Sequence, residues 1–521
     1  MGSNGADILE IDGAETAVTN RFVIGHGTRG RGAVYQRGGR VANTARGGQY
    51  YGQVGWAASG YGYYEVSGGV HSLLGNHRIG FQPDVSGILA VLGGEVELDK
   101  LTLESGEAGS LALGVDGSFG VLYVKDGAFR SSRAISLCEW NSNHRNGRAV
   151  ITLDGPGALL ESSSEIRLGV SSYADTIVNL NGGVLETRPM RKATVSGTSN
   201  FEGSRAYVNF NGGTLRSGSL DAKLINDGAE SVDRVTVFAG GATIDTAGYD
   251  RTFDLPLQAP EGMGVASVDG TGVIGETFVG PPVVAIENTG TSEGYGATAY
   301  ADFDSVTRKV TGIHVTSPGC NYTSAQAVIR YGKPWITNAV TLAASSSGGL
   351  TKKGEGTLTL NAANSFTGAV SVEGGTLKVG VDGALPSVAP VSLSVGGTLD
   401  LNGRSLSCSA IASTGGAVAN GTLTLPPALT VDLAEAKAGN CLTFASGSFA
   451  FPANAALTLE NADVRNSDDK EYTLLKITGS GSFANLPRLT NDDLSPWILT
   501  LGNGGREIRL SFPRGTLMIF R

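Results

Sequence analysis

The densest cluster of reactive and ligand-binding side chains lies between Leu137 and Arg148. Glu139, His144 and Arg145 carry the side chains of a general acid or base and of a cation that clamps an anionic group. Such a set suits cleavage of a glycosidic bond or elimination at a uronic acid. Glycosidases use two carboxylates, and the sequence does not show a second one at catalytic distance. These three residues are candidates for catalysis, and non-catalytic binding stays the alternative.

Aromatic and amide side chains recur in the loop that follows one short strand of each sequence repeat. Exposed rings stack on the apolar faces of sugars, and polar groups beside them bind hydroxyls. We call these loops, near residues 26–31, 56–61, 81–84, 119, 139–145 and 173–175, the loop column. It is predicted to bind a sugar polymer through Trp56, Tyr61, Phe81, Gln82, Trp140, Asn141, Asn143 and Tyr173. Ordinary polar loops whose rings shield the strand ends would give the same pattern.

Composition excludes several other functions. The net charge of −9 argues against a nucleic-acid partner. Nucleophile-elbow, phosphate-loop and zinc-protease motifs are missing, and no apolar stretch approaches the roughly 20 residues of a membrane helix. No cofactor and no metal site are predicted, because the four cysteines lie far apart without zinc-ligand spacing. Cys408 and Cys441 are one repeat apart, so a disulfide and two buried thiols both stay open.

The elements that position the loop column follow from a recurring glycine pair. Its second glycine, or a residue in its place, returns every 25 to 33 residues, at 39, 69, 94, 127, 157, 183, 213 and 241. A period in this range is typical of a solenoid, in which each repeat buries its apolar face against its neighbours. Three short alternating strands per repeat predict an all-β, right-handed parallel β-helix.

The repeats also predict the buried face of the third strand. Val23, Val54, Ile79, Leu113, Leu137 and Leu168 are expected to stack as one inward ladder. Because side chains alternate across a strand, an error of one residue would reverse every face.

Breaks in the period divide the chain into four segments. Residues 1–255 are expected to form the β-helix. The proline-rich residues 256–335 are expected to form an inserted small β module. Residues 336–430 are expected to continue the β-helix. Residues 431–521 are expected to form a C-terminal β cap, which solenoids need to cover their last edge.

One stretch of the third segment resembles a known family. Gly349-Leu-Thr-Lys352, Gly356-Thr-Leu-Thr-Leu360, Asn364-Ser-Phe-Thr-Gly368 and Gly374-Gly-Thr-Leu377 follow the pattern of the autotransporter-associated β-strand repeat. The resemblance implies a secreted or cell-surface bacterial β-helix. The family's C-terminal membrane barrel is not recognisable in this sequence, and no signal peptide is expected at its start.

Three functions are compatible with these features. The first is an adhesin or extended scaffold that contacts polysaccharides or cell-surface glycans through the loop column. The second is a polysaccharide lyase or glycoside hydrolase that uses the same face. The third is a subunit of an extracellular filament, because the open ends of a solenoid can associate head to tail.

Overall fold

A computed structural model describes residues 5–512, except 14, 20, 44–51, 100–109, 139–145, 193–201, 219–220, 388, 467–468, 492–493 and 495. The chain forms two compact units. Unit 1 comprises Met1–Ala242 and Gln258–Ser347, and unit 2 comprises Thr243–Leu257 and Gly348–Arg521. Both are built almost entirely of β-strands.

The first part of unit 1 is a parallel β-helix, as the repeats predict. Each coil adds one strand to each of three sheets, and neighbouring strands pair in parallel. The first sheet contains Ala6–Ile11, Arg31–Gln36, Tyr61–Val66, Ser86–Val91, Phe119–Val124, Arg148–Leu153, Asp175–Leu180, Arg205–Phe210 and Arg234–Val237. The second contains Glu15–Val18, Arg40–Asn43, Val70–Leu74, Glu95–Asp99, Ala128–Ser131, Leu159–Ser162, Val184–Thr187 and Thr214–Ser217. The third contains Phe22–His26, Gly52–Trp56, His77–Phe81, Leu111–Val115, Ile135–Leu137, Ile166–Leu168 and Met190–Lys192.

Glycine is required where one coil turns against the next. Gly69 has a φ of +73°, and a Cβ atom there would lie 2.1 Å from the carbonyl oxygen of Gly39. Gly114 lies near the end of the Leu111–Val115 strand with a φ of +68°, and its Cβ would lie 2.2 Å from the carbonyl oxygen of Arg148. Other side chains would therefore collide with the neighbouring coil, which explains the glycine period.

The inward ladder of the third sheet is confirmed at five of its six positions. Val54, Ile79, Leu113, Leu137 and Leu168 are buried. The prediction for Val23 was wrong: Ile24 pairs with Val54 and is fully buried, whereas Val23 pairs with Gln53. Each confirmed ladder residue directly precedes a glycine or a cysteine in the sequence, and the same alignment selects Ile24.

Truncating the ladder should destabilise the β-helix locally. Leu137→Ala removes a fully buried side chain, so we expect a loss of about 2–5 kcal/mol. The change is measured as reduced hydrogen-exchange protection in the Ile135–Leu137 strand. Leu501→Ala, at a side chain that is 44% exposed, is the matched control and should have little effect. Equal losses in the two variants would contradict the assigned ladder.

The second part of unit 1 is an antiparallel module, which we call the inserted module, and its last strand lies beyond the expected boundary at residue 335. Its strands are Met263–Val268, Val283–Asn288, Thr298–Asp304, Lys309–Ser317, Ala325–Arg330 and Ile336–Ala344. In the sheet, Ala325–Arg330 lies between Ile336–Ala344 and Val283–Asn288. Inserted-module residues such as Val265, Ile286 and Ala301 form an apolar core of their own.

The inserted module packs on the outer face of the first sheet. Val283, Ala285 and Val328 of the module join the β-helix residues Tyr63 and Val121 in one buried cluster. The Tyr61–Val66 strand is consequently buried on both faces. The packing is anchored by stacked rings, since the centroids of Tyr123 and Tyr300 lie 3.9 Å apart at an interplanar angle of 9°.

Polar contacts fix the register of the inserted module on the β-helix. Asn179 donates to Thr298 at 2.8 Å, and His314 contacts Asp302 at 2.8 Å and Asp154 at 3.2 Å. Burial disfavours the imidazolium, but the two carboxylates outweigh it and raise the pKa of His314 to about 9. A protonated His314 therefore joins the two parts of unit 1 at neutral pH.

Unit 2 also consists mainly of stacked parallel strands. One sheet contains Leu350–Lys353, Val370–Val372, Val391–Leu393, Ala410–Ser413, Ala428–Asp432, Ala456–Glu460 and Arg488–Leu489. The other contains Arg251–Phe253, Thr357–Leu360, Gly375–Val379, Gly397–Asp400, Ala417–Ala419, Leu442–Phe444, Glu471–Ile477, Glu507–Ser511 and Ile498–Gly502. Ser405–Ser407 pairs with Thr422–Thr424, and the α-helix Leu433–Lys437 is capped by Asp432. In unit 2, the strands Glu471–Ile477, Glu507–Ser511 and Ile498–Gly502 pair antiparallel, and this pairing ends the parallel stacking.

The motif residues of unit 2 link successive coils. The amine of Lys352 is buried and donates to the carbonyl oxygens of Lys353, Gly354 and Gly374 at 2.6–3.0 Å. The side chain of Asn364 accepts from the amide of Leu257 and donates to the carbonyl of Ala384. The conspicuous residues of the repeat therefore satisfy backbone groups between coils.

The four cysteines are free and buried, so the structure has two thiols at Cys408 and Cys441. Among the described residues, no helix has both the length and the apolar character needed to cross a membrane.

Candidate functional site

The described loops of the loop column lie along one edge of the first sheet of unit 1. The ends of three third-sheet strands are in register, so His26 pairs with Trp56 and Trp56 with Phe81. The rings of His26 and Trp56 are 4.5 Å apart, and Arg78 lies 4.2 Å from the ring of Phe81. Trp56 and Phe81 are half-buried, as is Gln82 in the following loop. The expected stacking of the loops is therefore present in these coils.

Tyr61 requires a correction. It was predicted to contact a ligand, but its side chain is fully buried beneath the inserted module. Its hydroxyl donates to the carbonyl of Pro281 at 2.6 Å, and its ring lies 4.7 Å from that of Tyr331. Tyr61 begins a first-sheet strand, so it faces the inserted module instead of solvent.

The densest part of the predicted site lies outside the described residues. This applies to the catalytic candidates Glu139, His144 and Arg145 and to the ligand-binding candidates Trp140, Asn141 and Asn143. Their roles remain predictions.

A trench runs between the β-helix and the inserted module, within unit 1, and Tyr173 and Asp175 of the loop column line it. It consists of two adjoining cavities of about 690 and 770 Å³ that share Glu293, Tyr295 and Tyr322. The lining residues on the β-helix side include Asn146, Arg148, Tyr173, Asp175, Arg205 and Arg234. The module wall includes Glu287, Asn288, Glu293, Tyr295, Asn321 and Tyr322.

Tyr173 presents an aromatic face in the trench. Its side chain is 40% exposed, the largest exposure among the predicted ligand-binding residues that the structure describes. The ring packs against Gly203, where a Cβ atom would lie 2.4 Å from Cδ1 of Tyr173. The hydroxyl donates to Glu202 at 3.0 Å. The backbone of Gly203 and the hydrogen bond to Glu202 thus hold the ring in place, and part of its surface is exposed.

Charged residues on three successive first-sheet strands form the floor of the trench. Arg148 pairs in register with Asp175, and Asp175 with Arg205. Oδ2 of Asp175 lies 3.3 Å from Arg148 and 3.7 Å from Arg205. Asp175 raises the pKa of Arg205 above its usual value. One carboxylate therefore neutralises part of the charge of two guanidinium groups.

Aromatic residues continue the trench toward the next coil. The rings of Tyr207 and Tyr295 stack with centroids 4.9 Å apart and an interplanar angle of 22°. Beyond them, Arg234 donates to Glu261 and to the carbonyl of Ala259, both at 2.9 Å. These contacts join the β-helix to the inserted module at the end of the trench.

Four polar atoms of residues that line the trench have no hydrogen-bond partner among the described residues: Oδ1 of Asp175, Oγ of Ser204, Nε of Arg234 and Oη of Tyr295. Burying such atoms unpaired costs about 1–3 kcal/mol each. A ligand that supplied hydroxyl groups here would recover part of that free energy.

Of the predicted ligand-binding residues that the structure describes, Tyr173 lines the trench, and most of the other lining residues were not predicted. Asp175 was placed in the loop column, but Arg148, Arg205 and the module wall were not recognised as site residues. Arg148, Asp175 and Arg205 share the first position of their strands, and this charged column was a visible signal. Nothing in the sequence indicated that module residues such as Tyr295 and Tyr322 would face it.

Comparisons with known proteins support the resemblance found in unit 2. The model of the Passenger-associated-transport-repeat matches residues 350–379, so the chain carries an autotransporter-associated repeat. A protein of Brucella suis biovar 1 (strain 1330), named Adhesin BmaC autotransporter, is 38% identical over 96 residues. The alignment covers 18% of this chain and 3% of that protein, so the chain spans a small part of its relative. No solved structure matches the chain significantly.

Proposed function

We propose that the chain is a secreted or cell-surface segment of an adhesin and that it contacts glycans through the trench. The passenger-associated repeat and the relative named as an autotransporter adhesin support the location and the adhesive role. The observation that carries the glycan contact is the exposed, fixed ring of Tyr173 beside Arg148, Asp175 and Asn146.

This arrangement suits the chemistry of sugars. A pyranose ring has an apolar face that stacks on a tyrosine, and its hydroxyls both donate and accept hydrogen bonds. The trench supplies amides at Asn146 and Asn288, an acceptor at Asp175 and donors at Arg148 and Arg205. Because the ring of Tyr173 is held before binding, little conformational entropy is lost when a sugar stacks on it.

Removing this ring should weaken glycan binding without unfolding unit 1. For Tyr173→Ala we expect an increase in Kd of roughly five- to tenfold, since an aromatic contact contributes about 1–1.5 kcal/mol. The ligand is first selected by screening the purified chain on a glycan array. Its affinity for the wild type and the variant is then measured by titration calorimetry.

Tyr249→Ala is the matched control, because Tyr249 is also 40% exposed but belongs to unit 2. It should bind like the wild type. Absence of binding to any glycan, or equal affinity in Tyr173→Ala and the wild type, would contradict the proposal.

A further inference from the structure

We infer that the trench selects an uncharged, extended glycan whose chain lies along the stack of β-helix coils. The inference rests on the proposed function and names the ligand class of the same site.

The arginines of the trench already lie beside acidic residues of this chain. Arg148 and Arg205 share the carboxylate of Asp175, and Arg234 is paired with Glu261 at 2.9 Å. Arg148 also donates to the carbonyl of Ile286 at 2.9 Å. An anionic sugar would have to compete with these internal carboxylates for each guanidinium group.

The opposite wall would repel such a sugar. Glu287 and Glu293 line the module side of the trench, facing the floor that holds Asp175. The whole chain carries a net charge of −9, which adds a long-range repulsion. Like charges placed together across an interface oppose binding, so uronic acids and sulfated sugars are disfavoured.

Neutral hydroxyls fit the same groups well. The unpaired Oδ1 of Asp175 accepts a hydrogen bond and cannot donate one when ionised. A sugar hydroxyl supplies that donor, whereas an ionised uronate carboxylate does not. The hydroxyl of Ser204, also unpaired, can pair with either end of a sugar hydroxyl.

The direction and length of the ligand follow from the strand spacing. The strands beginning at Arg148, Asp175, Arg205 and Arg234 succeed one another in the first sheet. Three steps of about 4.8 Å give a floor about 14 Å long, roughly the length of three sugar units. A linear chain along the coils would therefore place successive sugars over successive strands.

The test is a direct comparison of neutral and acidic linear oligosaccharides of two to six units. The neutral probes are oligomers of glucose, mannose, xylose and N-acetylglucosamine, and the acidic probes are oligomers of galacturonate and hyaluronan. We expect a neutral oligomer to bind at least about tenfold more tightly than any acidic one. Affinity should rise with length and level off at about three or four units.

Asp175→Asn provides the second arm, because it releases Arg148 and Arg205 while keeping the shape of the side chain. Selectivity for neutral over acidic probes should fall by several-fold. Tighter binding of an acidic oligomer by the wild type, lost in Tyr173→Ala, would overturn the inference and leave the glycan role intact. Unchanged selectivity in a folded Asp175→Asn variant would also overturn it. If no oligomer binds, or if the wild type and the Tyr173→Ala variant bind with equal affinity, the proposed function is overturned as well.

Discussion

Acidification from pH 7 to pH 4 should cost unit 1 about 3 kcal/mol of unfolding free energy through His71 alone. The side chain of His71 is buried, and burial lowers its pKa to about 3, with the nearby His77 adding to the effect. The unfolded chain binds a proton near the usual pKa of about 6.5. Below that pH the unfolded state holds more protons, so stability falls by about 1.4 kcal/mol per pH unit until the pH approaches 3.

The hydrogen bonds around His71 explain why it stays neutral. Tyr64 donates its hydroxyl to Gln36 at 2.9 Å, so His71 donates from Nδ1 to Tyr64 over 2.5 Å. Gln36 in turn donates to the carbonyl of Val70 at 2.9 Å. No carboxylate contributes to this chain of bonds, so a second proton on the imidazole would be a buried and uncompensated charge.

The prediction is checked by urea unfolding between pH 7 and pH 4. His71→Gln removes the titrating group, so its stability should depend less steeply on pH, by about 1.4 kcal/mol per unit below pH 6. An NMR titration of the wild-type imidazole gives an independent value. A His71 that is protonated near pH 6 in the folded protein would contradict the prediction.

Lys352→Met should destabilise unit 2 by about 2–4 kcal/mol, although the new side chain fills nearly the same volume. The Lys352 amine donates to three carbonyls, and the amide of Thr246 also reaches the first of them, that of Lys353. Without the amine, the carbonyl of Lys353 keeps the amide of Thr246 as a donor. The carbonyls of Gly354 and Gly374 lose the donor that the amine provided. A buried acceptor that loses its donor costs about 1–3 kcal/mol.

Lys353→Met is the control. The side chain of Lys353 is 48% exposed and forms a surface ion pair with Glu373. That pair contributes at most about 1 kcal/mol. Urea unfolding of both variants distinguishes the two roles. Equal stability of Lys352→Met and the wild type would show that the amine is not needed between the coils.

The repeat architecture was predictable because each coil must satisfy the same packing rules. The positions of Gly69 and Gly114 leave no room for a side chain, so their spacing reports the coil length. The inward ladder followed from alternation, and its one error, at Val23, arose where a strand of apolar residues offers two equivalent registers. Aligning that strand on Gly25 would have selected Ile24.

The docking of the inserted module was not predictable from periodicity. The Tyr61–Val66 strand was expected to expose Tyr61, yet the inserted module covers it. A run that is apolar or aromatic at consecutive positions is typical of a strand buried on both faces. Tyr61, Tyr63 and Tyr64 carried this signal. The partner surface was not visible, because Val283 and Val328 lie more than 200 residues away in the sequence.

The position of a bound oligosaccharide tests the proposed role of the trench most directly. We expect a crystal of the chain grown with a neutral oligosaccharide of four units to show the sugar between the β-helix and the inserted module. One ring should lie on the exposed face of Tyr173, with the chain running from Arg148 toward Arg234. Sugar bound only elsewhere on the surface would contradict the assignment.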